Sequence, residues 1–277
     1  MYDKIEKLAN SMIQHGKLND RIYLMKMSDK DVSSIIDNLE DIVKQNAYTK
    51  IFAKINSKHK ELFIKSGYEL EAEVPGFYYG NETALFMGKY FSEQRKVFND
   101  KDEINNIIEL SLSKEKISKF SLENDFQVIQ ASEQNAEEMA QVYKTVFETY
   151  PFPITKPEYL IETMNSHVDY FCILCNGRIV ALSSSEMDLD KKNSEMTDFA
   201  TLPEYRGKGL ATGLLSLMES SAKAKGILTL YTIARANSPG MNITFAKLGY
   251  KIAGTLVNNT FICNSFESMN VWYKEVN

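Results

Sequence analysis

The residues with the clearest chemical meaning lie between positions 195 and 211. A strand-like stretch begins at Glu195 and leads through a Leu-Pro turn into Arg206-Gly207-Lys208-Gly209, after which a helix-like stretch begins. Small residues at a strand-to-helix turn let the backbone approach a ligand closely, and the free N–H groups at a helix start attract phosphate. Arg206 and Lys208 add positive charge beside these groups. The pattern therefore predicts a phosphate-binding loop.

Two other kinds of phosphate loop fit this segment less well. The spacing of Gly207, Gly209 and Gly213 misses the dinucleotide-binding fingerprint by one residue. No Gly-Lys-Ser or Gly-Lys-Thr triplet is present, which excludes a nucleotide-binding P-loop here. A structural turn with incidental glycines remains the alternative.

The second half of the chain alternates strand-like and helix-like stretches around this loop. Asn176-Gly177 predicts a tight hairpin between two apolar runs. Apolar periodicity predicts strands at 126–129, 170–174, 178–183, 195–201 and 228–233, helices at 135–147 and 157–164, a helix from 210 that ends at Gly226, and one that ends at residue 247.

The first half shows a shorter series of the same kind. We predict strands at 21–27 and 50–55, helices from 28 to 43 and from 57 to 65, a hairpin through Gly80-Asn81, and a helical connector at 93–119. The string Phe-x-Lys-x-Gly-Tyr occurs at 63–68 and again at 245–250, each time after a strand and a helix. A common helix cap explains the match equally well, but the matching order of neighbouring elements favours duplicated half-domains.

The loop and its flanking elements resemble a known family. The strand, the proline and the string from Arg206 to Ala211 are similar to the acyl-CoA motif of the GNAT-superfamily acetyltransferases, Q/R-x-x-G-x-G/A, over roughly residues 125–277. The resemblance implies that the loop amides hold the pyrophosphate of acetyl-CoA and that the preceding strand pairs with its pantetheine arm. The cofactor-binding residues that it implies are Phe199, Ala200, Thr201, Arg206, Gly207, Lys208, Gly209, Leu210, Ala211, Asn237 and Phe245.

A closer resemblance covers both halves of the chain. Residues 197–209, 240–247 and 74–78 are similar to the beta-lysine N-acetyltransferase family. This implies acetylation of the N6 amine of beta-lysine, the product of lysine 2,3-aminomutase, and N6-acetyl-beta-lysine, a compatible solute (osmolyte), as the product. A polyamine, another amino acid or a protein amine is an alternative acceptor, and a non-catalytic acyl-CoA-binding sensor is an alternative of another class.

Glu195 is the predicted general base. Its place eleven residues before Arg206 resembles that of the catalytic glutamate in several family members, and a primary amine with a pKa of about 10.4 must lose a proton before it attacks a thioester. A solvent-facing acid at a strand end is the alternative. Asp198 is expected on the opposite face of a regular strand, where it binds a substrate ammonium or pairs with a cation. Tyr150 and Phe152 are expected to line the acceptor pocket, with a packed loop as the alternative.

The resemblance leaves the general acid open. Many family members have a tyrosine four residues before the Gly-aromatic pair, and this position is Phe245 here. Tyr231 is a substitute, although a strand tyrosine is more often a packing residue, and a thiol with a pKa of about 8.5 also leaves as the anion. The asparagine position of the next helix holds Ser238; Asn237 and Asn242 lie nearby, and Asn237 is taken as the cofactor contact.

Composition excludes several other functions. The net charge of −5 argues against a nucleic-acid partner or an acidic membrane surface, and the longest apolar run is too short to cross a bilayer. Three cysteines do not form a disulfide framework, and no secretory signal opens the chain, so a cytoplasmic location is expected. Cys172 and Cys175 face opposite sides of a predicted strand, and with three scattered histidines no metal is expected.

These observations together predict an α/β fold with an α+β mixed sheet. A degenerate GNAT-like N-terminal domain with its helical connector is expected at residues 1–115, and a catalytic GNAT N-acetyltransferase domain at 124–277. Because the first half has no counterpart of the Arg206 loop, one acetyl-CoA site per chain is expected. The expected partner is a small-molecule amine, and the sequence leaves a homodimer open.

Overall fold

Strands from both halves of the chain pair into one continuous sheet in the computed structural model, which describes residues 3–117, 122–123, 125–262 and 264–276. The thirteen strands of these residues are β1 Lys4–Leu8, β2 Ser11–Gly16, β3 Arg21–Lys26, β4 Lys50–Asn56, β5 Glu69–Tyr78, β6 Glu82–Tyr90, β7 Phe126–Gln130, β8 Val168–Cys175, β9 Arg178–Asp188, β10 Asn193–Thr201, β11 Thr229–Arg235, β12 Lys251–Ile262 and β13 Ser265–Glu275. Some residues named in the predictions lie outside the described residues. Among them are Lys119, the end of the predicted connector; Asn124, the start of the predicted second domain; and Cys263, the third cysteine.

Helices cover both faces of the sheet in the C-terminal half and one face in the N-terminal half. Within the described ranges they are α1 Ile35–Asn46, α2 Lys60–Lys65, α3 Glu93–Lys96, α4 Lys101–Leu112, α5 Ala136–Val146, α6 Pro157–Met164, α7 Leu210–Ala224 and α8 Pro239–Lys247. The apolar residues of α7 recur every three to four positions, so Leu214, Leu215 and Met218 are buried together. This buried face fixes α7 against β9 and β10, and the N-terminus of α7 therefore stands at the end of β10.

The C-terminal half repeats the strand order of the N-terminal half and adds one strand, β7, at its outer edge. From the outer edges inward, the order is β1-β2-β3-β4-β6-β5 in the first half and β7-β8-β9-β10-β11-β13-β12 in the second. Among the described strands each half has one parallel pair, β3 with β4 and β10 with β11, and a helix connects the members of each pair. The predicted mixed-sheet fold, with a smaller half before the larger one, is confirmed, and the repeated order supports duplicated half-domains.

Local turn signals hold the hairpins of both halves. Asn176 and Gly177 adopt φ angles of 51° and 77°, the left-handed pair that a type I′ turn requires, and confirm the predicted hairpin between β8 and β9. Tyr79 and Gly80 adopt φ angles of 58° and 78° between β5 and β6. The predicted hairpin through Gly80-Asn81 is confirmed as well.

The halves meet along a seam between β5 and β12. A single register pair, Gly254 with Ala72, joins these strands in the described part of the chain. Gly254 has a φ of 152°, and a Cβ added there would lie 2.1 Å from the carbonyl oxygen of Glu71, so the close approach requires glycine. Beside this point the fully buried Lys50 ammonium pairs with Glu71 at 2.9 Å and donates to the Val257 carbonyl at 2.7 Å. The backbone contact at Gly254 and the hydrogen bonds of the Lys50–Glu71 pair to the Val257 backbone thus bind the halves together.

Three parts of the first half differ from the prediction. The helix predicted from residue 28 begins only at Ile35, after a 3-10 helix at Asp29–Asp31. The edge hairpin of β1 and β2 is absent from the predicted elements, because β1 is short and charged, as exposed edge strands often are. The predicted connector at 93–119 is broken into α3 and α4, and α4 packs against α8 with Ile104 and Ile107 buried. The α4 part of the connector therefore packs on the C-terminal half.

Candidate active site

β10 and β11 form a fork in the C-terminal half. They pair in parallel over Asn193 to Glu195 on β10 and Thr229 to Tyr231 on β11, and no register pair joins the remainder of these two strands. Beyond the last pair, the edge of β10 that faces β11 keeps backbone N–H and C=O groups that need other partners. Glu195 lies at the apex of the fork, as the last paired residue of β10.

The loop between β10 and α7 has the geometry of an anion site. Gly207 and Gly209 have φ angles of 79° and 74°, in the left-handed region that favours glycine. Gly209 caps the fifteen-residue helix α7 and offers no side chain to its first amides, so these N–H groups point away from the helix without a capping partner. Arg206 and Lys208 are exposed beside them. The bare amides and the two cations fit a pyrophosphate such as that of acetyl-CoA.

Five predicted cofactor contacts continue along the fork and into α7. Phe199, Thr201 and Ala211 are partly exposed, whereas Ala200 and Leu210 are buried. The last two can therefore face a ligand only through their backbone. The contact of all five with acetyl-CoA stays a prediction.

Phe245 and Asn237 were the two predicted cofactor contacts beyond β11. Phe245 is 0% exposed and packs edge-on against Phe199 and Tyr250, with ring centroids 5.7 and 5.0 Å away. Its side chain has no surface for the cofactor, so the predicted contact is corrected to a core residue that supports Phe199. Asn237 has a buried side-chain oxygen with no hydrogen-bond partner among the described residues, which suits a ligand contact.

A β-bulge turns Asp198 toward the same side of the sheet as Glu195. The register against β9 shifts by one residue between Thr197 and Ala200, and Asp198 adopts a φ of 54°. Asp198 and Glu195 consequently line one cavity. The expected opposite facing is wrong, because it holds for a regular strand and the extra residue of a bulge breaks the alternation.

The cavity that contains these two acids is built by both halves of the chain. Its volume is about 450 Å³, which is within the usual range for small-molecule sites. The C-terminal half supplies parts of β8 to β13 and the segment before and within α6. The lining residues from β2, β3 and β4 of the N-terminal half are Met12, Gln14, Arg21, Tyr23, Met25, Lys26, Phe52 and Lys54.

The aromatic loop before α6 forms one wall of this cavity. Tyr150 and Phe152 both line it, and the Tyr150 hydroxyl donates to the Asp198 carboxylate. The Ser184 hydroxyl donates to the second oxygen of the same carboxylate at 2.5 Å. Burial raises the pKa of Asp198, although the bonds from Ser184 and Tyr150 favour its charged form. Acceptor binding by these residues stays a prediction.

Glu195 lies in a row of polar side chains across three strands. The register places Tyr231, Glu195 and Glu186 side by side on β11, β10 and β9. Burial and then the facing Glu186 carboxylate raise the pKa of Glu195 to about 7, against the opposite effects of the Lys54 charge and of hydrogen bonding to Tyr231. Lys54 also donates to the Tyr231 hydroxyl at 3.1 Å, so a lysine of the first half reaches the apex of the fork.

Glu186 differs from Glu195 in its surroundings. Burial alone would raise the pKa of Glu186, but the bond and charge of His167, 3.5 Å away, together with the charges of Lys54 and Lys26, lower it. Two facing carboxyls with pKa values pushed apart take different roles. Glu195 is the one that can accept a proton near neutral pH, and Glu186 stays charged.

Several residues of this site are absent from the sequence prediction, and Lys54, Glu186, Arg21 and Tyr23 are examples. Lys54 interrupts the apolar run of β4, and Glu186 follows three serines in β9; polar residues within apolar strands are the signal that could have marked them. Arg21 and Tyr23 carry no such signal, because β3 resembles any half-buried strand. Their part in the cavity depends on how the two halves pack.

The chemistry that this arrangement supports is acyl transfer. An anion loop lies at the open end of the fork, an unpaired strand edge runs along it, and a carboxyl with a pKa of about 7 lies at the apex. Such a carboxyl can accept the proton of an amine that attacks an acyl group held in the fork.

Other site types find less support in the described residues. They contain no group of three or more His, Cys, Asp or Glu side chains placed to hold a metal ion. Cys172 is buried and Cys175 partly exposed, in agreement with opposite strand faces. None of the described helices combines the length and apolar character needed to cross a membrane.

Comparisons with known proteins agree with this chemistry. Residues 136–250 match the Acetyltransferase (GNAT) family. The chain is 44% identical over 272 residues to the beta-lysine N(6)-acetyltransferase of Methanococcus maripaludis, covering 98% of each chain. It is 35% identical over 227 residues to that of Methanosarcina mazei, covering 74% of this chain and 83% of the relative. A solved N-acetyltransferase structure from Staphylococcus aureus shares the fold, with a TM-score of 0.50 and 20% identity over 56% of this chain and 100% of that one. The predicted GNAT-like fold is confirmed, and the chain belongs to the beta-lysine N(6)-acetyltransferase family of GNAT acetyltransferases.

Proposed function

We propose that this N-acetyltransferase transfers the acetyl group of acetyl-CoA to the N6 amine of beta-lysine. The observation that carries the proposal is the 44% identity to a beta-lysine N(6)-acetyltransferase across 98% of both chains. Both halves of the chain line the acceptor cavity. Sequence identity that extends over both halves therefore supports a shared acceptor as well as a shared cofactor.

The loop before α7 and the fork between β10 and β11 would bind different parts of acetyl-CoA. GNAT acetyltransferases use this cofactor, which supplies the acetyl group as a thioester. The amides at the start of α7, with Arg206 and Lys208, would bind its pyrophosphate. The unpaired edge of β10 from Phe199 to Thr201 would hydrogen-bond the pantetheine arm, so the thioester would lie near the apex of the fork.

Glu195 is proposed as the general base. At neutral pH its raised pKa leaves the carboxylate basic enough to take a proton from an amine, directly or through one water. As the amine nitrogen bonds to the acetyl carbon, its proton passes toward Glu195, the C–S bond breaks and the electron pair leaves on sulfur. The Tyr231 hydroxyl and the Lys54 ammonium hold the carboxylate in place.

The leaving thiolate is proposed to depart without a tyrosine acid at the family's usual position. Phe245 occupies that position and is fully buried. The Tyr231 hydroxyl is hydrogen-bonded to Glu195 and accepts a hydrogen bond from Lys54, so it interacts with the general base and not with the leaving sulfur. A thiol with a pKa of about 8.5 is an acceptable leaving group as the anion.

The cavity disfavours two of the alternative functions. Glu186, Glu195 and Asp198 could bind the ammonium groups of a polyamine, but a polyamine has no anionic group to place beside the buried Arg21 cation. A non-catalytic acyl-CoA sensor does not require an open acceptor cavity with a carboxyl of near-neutral pKa. A cytoplasmic location, a homodimer and the link to lysine 2,3-aminomutase stay predictions from the sequence.

The test is release of free thiol from acetyl-CoA with a panel of amines. The panel contains beta-lysine, lysine, spermidine and a lysine peptide, and product NMR identifies the acetylated nitrogen. We expect the highest kcat/KM for beta-lysine, with acetylation at N6. A higher kcat/KM for lysine, spermidine or the peptide would refute this acceptor and leave the acetyltransferase activity standing.

A further inference from the structure

Three unsatisfied polar atoms lie in residues that line the acceptor cavity. Gln14 Nε2, Arg21 Nε and Asn259 Oδ1 are buried and have no hydrogen-bond partner among the described residues. Buried polar groups in folded proteins are normally hydrogen-bonded. Two donors and one acceptor without partners on one cavity therefore indicate a polar ligand.

Arg21 is the strongest of these three groups. Its side chain is 5% exposed, and no carboxylate of the described residues lies within ion-pair distance. One guanidinium nitrogen donates to the Asn259 carbonyl and, at 3.3 Å, to the Thr260 hydroxyl. The group lies over the Tyr23 and Phe52 rings, 5.7 and 5.6 Å from their centroids. These contacts orient the guanidinium but leave its charge without a counter-ion.

The charge on Arg21 persists at neutral pH. Burial lowers its pKa to about 10, while Tyr23, Asp3 and Glu71 act in the opposite direction. Asp3 is bonded to Asn19, and Glu71 is paired with Lys50, so neither neutralises Arg21 by direct contact. A buried cation without a partner is strongly unfavourable. An anionic group of a bound ligand would remove this penalty.

Arg21 and Glu195 lie toward different ends of the cavity. β3 and β4 pair in parallel with Arg21 beside Lys50 and Tyr23 beside Phe52, so Lys54 on the same face lies four residues further along. Four residues of strand correspond to about 13 Å between the two backbone positions. The two charged groups are closer than that, because the Arg21 guanidinium carbon lies 5.7 Å and the Lys54 ammonium 5.9 Å from the centroid of the Tyr23 ring. Lys54 also reaches Tyr231 and hence the Glu195 end.

A diamino carboxylic acid fits between these ends. The chain from a carboxylate carbon to an amine six bonds away is about 7.5 Å long when extended, and the Arg21 side chain reaches across the remainder. Gln14, directly opposite Tyr23 on β2 and diagonal to Arg21, adds a second free donor on the same face. Asn259 provides an acceptor for an ammonium close to that carboxylate.

We propose that Arg21 and Gln14 of the N-terminal half bind the carboxylate of the acceptor, with Asn259 binding its neighbouring ammonium, at the end of the cavity opposite Glu195. The identity of the acceptor as beta-lysine rests on the proposed function, but recognition of a carboxylate does not. The duplicated half thereby has a role in acceptor selection. Through this site the enzyme would favour an amino acid acceptor over the corresponding amine that has no carboxylate.

The test compares beta-lysine with 1,4-diaminopentane, its decarboxylated counterpart. In wild type, kcat/KM for beta-lysine should exceed that for the diamine by about 10²- to 10³-fold, the size expected for a buried charge pair. Arg21→Gln should remove most of this ratio by lowering kcat/KM for beta-lysine alone. Gln14→Leu, which keeps the bonds of Arg21 to β12, should reduce the ratio by about tenfold.

Arg95→Gln is the matched control. Arg95 is also buried and donates to the Asn258 carbonyl on the same β12 segment, but it does not line the cavity. This variant should lose stability and keep the wild-type ratio. If Arg21→Gln lowers kcat/KM equally for both acceptors, or if Gln14→Leu and Arg95→Gln change the ratio alike, the proposal is overturned.

A second pair of acceptors separates this proposal from the proposed function. If lysine is a better substrate than beta-lysine, the ratio of lysine to 1,5-diaminopentane is measured instead. Loss of that ratio in Arg21→Gln would support the carboxylate site although the acceptor was wrong. Retention of either ratio in a folded Arg21→Gln or Gln14→Leu enzyme would refute the site while beta-lysine acetylation stood.

Discussion

Replacing Glu195 by glutamine should lower kcat/KM and raise the free energy of unfolding at the same time. The substitution keeps the size of the side chain and removes a partly buried carboxylate that faces the more exposed carboxylate of Glu186. If Glu195 is the base, kcat/KM for beta-lysine should fall by about 10²- to 10⁴-fold at pH 7. Part of the loss should return at high pH, where more of the amine is already deprotonated.

The gain in stability follows from the pKa of Glu195. Raising a carboxyl pKa from 4.5 in the unfolded chain to about 7 in the fold corresponds to about 3 kcal/mol in favour of the unfolded state at high pH. The penalty is absent below pH 4.5, grows between 4.5 and 7, and is complete above 7. Because the side chain is partly exposed to the cavity, we expect Glu195→Gln to be more stable by about 1 to 3 kcal/mol at pH 8.

Urea unfolding at pH 8 and at pH 5, with kcat/KM from thiol release, checks both parts. The stability gain should shrink toward pH 5, where wild-type Glu195 is already largely protonated. If the variant keeps the wild-type kcat/KM, Glu195 is not the general base and another group must have that role. A variant less stable than wild type at pH 8 would refute the argument that burial and Glu186 raise the pKa of Glu195.

The remaining predictions concern the coupled carboxyl, the cofactor loop and the seam. Glu186→Gln removes the facing charge and should move the pH midpoint of kcat/KM below about 7; an unchanged midpoint would exclude the coupling. Gly209→Val should weaken acetyl-CoA binding at least about tenfold in calorimetry, whereas Gly177→Val, at a similar φ of 77° in a distant hairpin, should not; equal affinities would contradict the loop assignment. Gly254→Ala forces a Cβ against the β5 backbone and should lower the free energy of unfolding by about 2 kcal/mol or more; wild-type stability would contradict the tight seam.

Local sequence was sufficient for the elements whose geometry depends on neighbours along the chain. Asn176-Gly177 specifies its hairpin because both residues tolerate positive φ. Gly207 and Gly209 specify the turn before α7 for the same reason, and the apolar spacing of α7 specifies which face it buries. Resemblance of these strings to a family then predicted Glu195 as the general base and a likeness to beta-lysine acetyltransferases, and the comparisons confirm the family.

Tertiary structure decided which residues form the acceptor cavity and which way they face. A β-bulge, which no local pattern predicts, places Asp198 on the same side of the sheet as Glu195. Phe245 is fully buried in the core and has no side-chain surface for the cofactor. Arg21 meets Asn259 across 238 positions of sequence. That contact exists because the two halves join edge to edge in one sheet, so it depends on the long-range packing of β5 against β12 and on no pattern within either half.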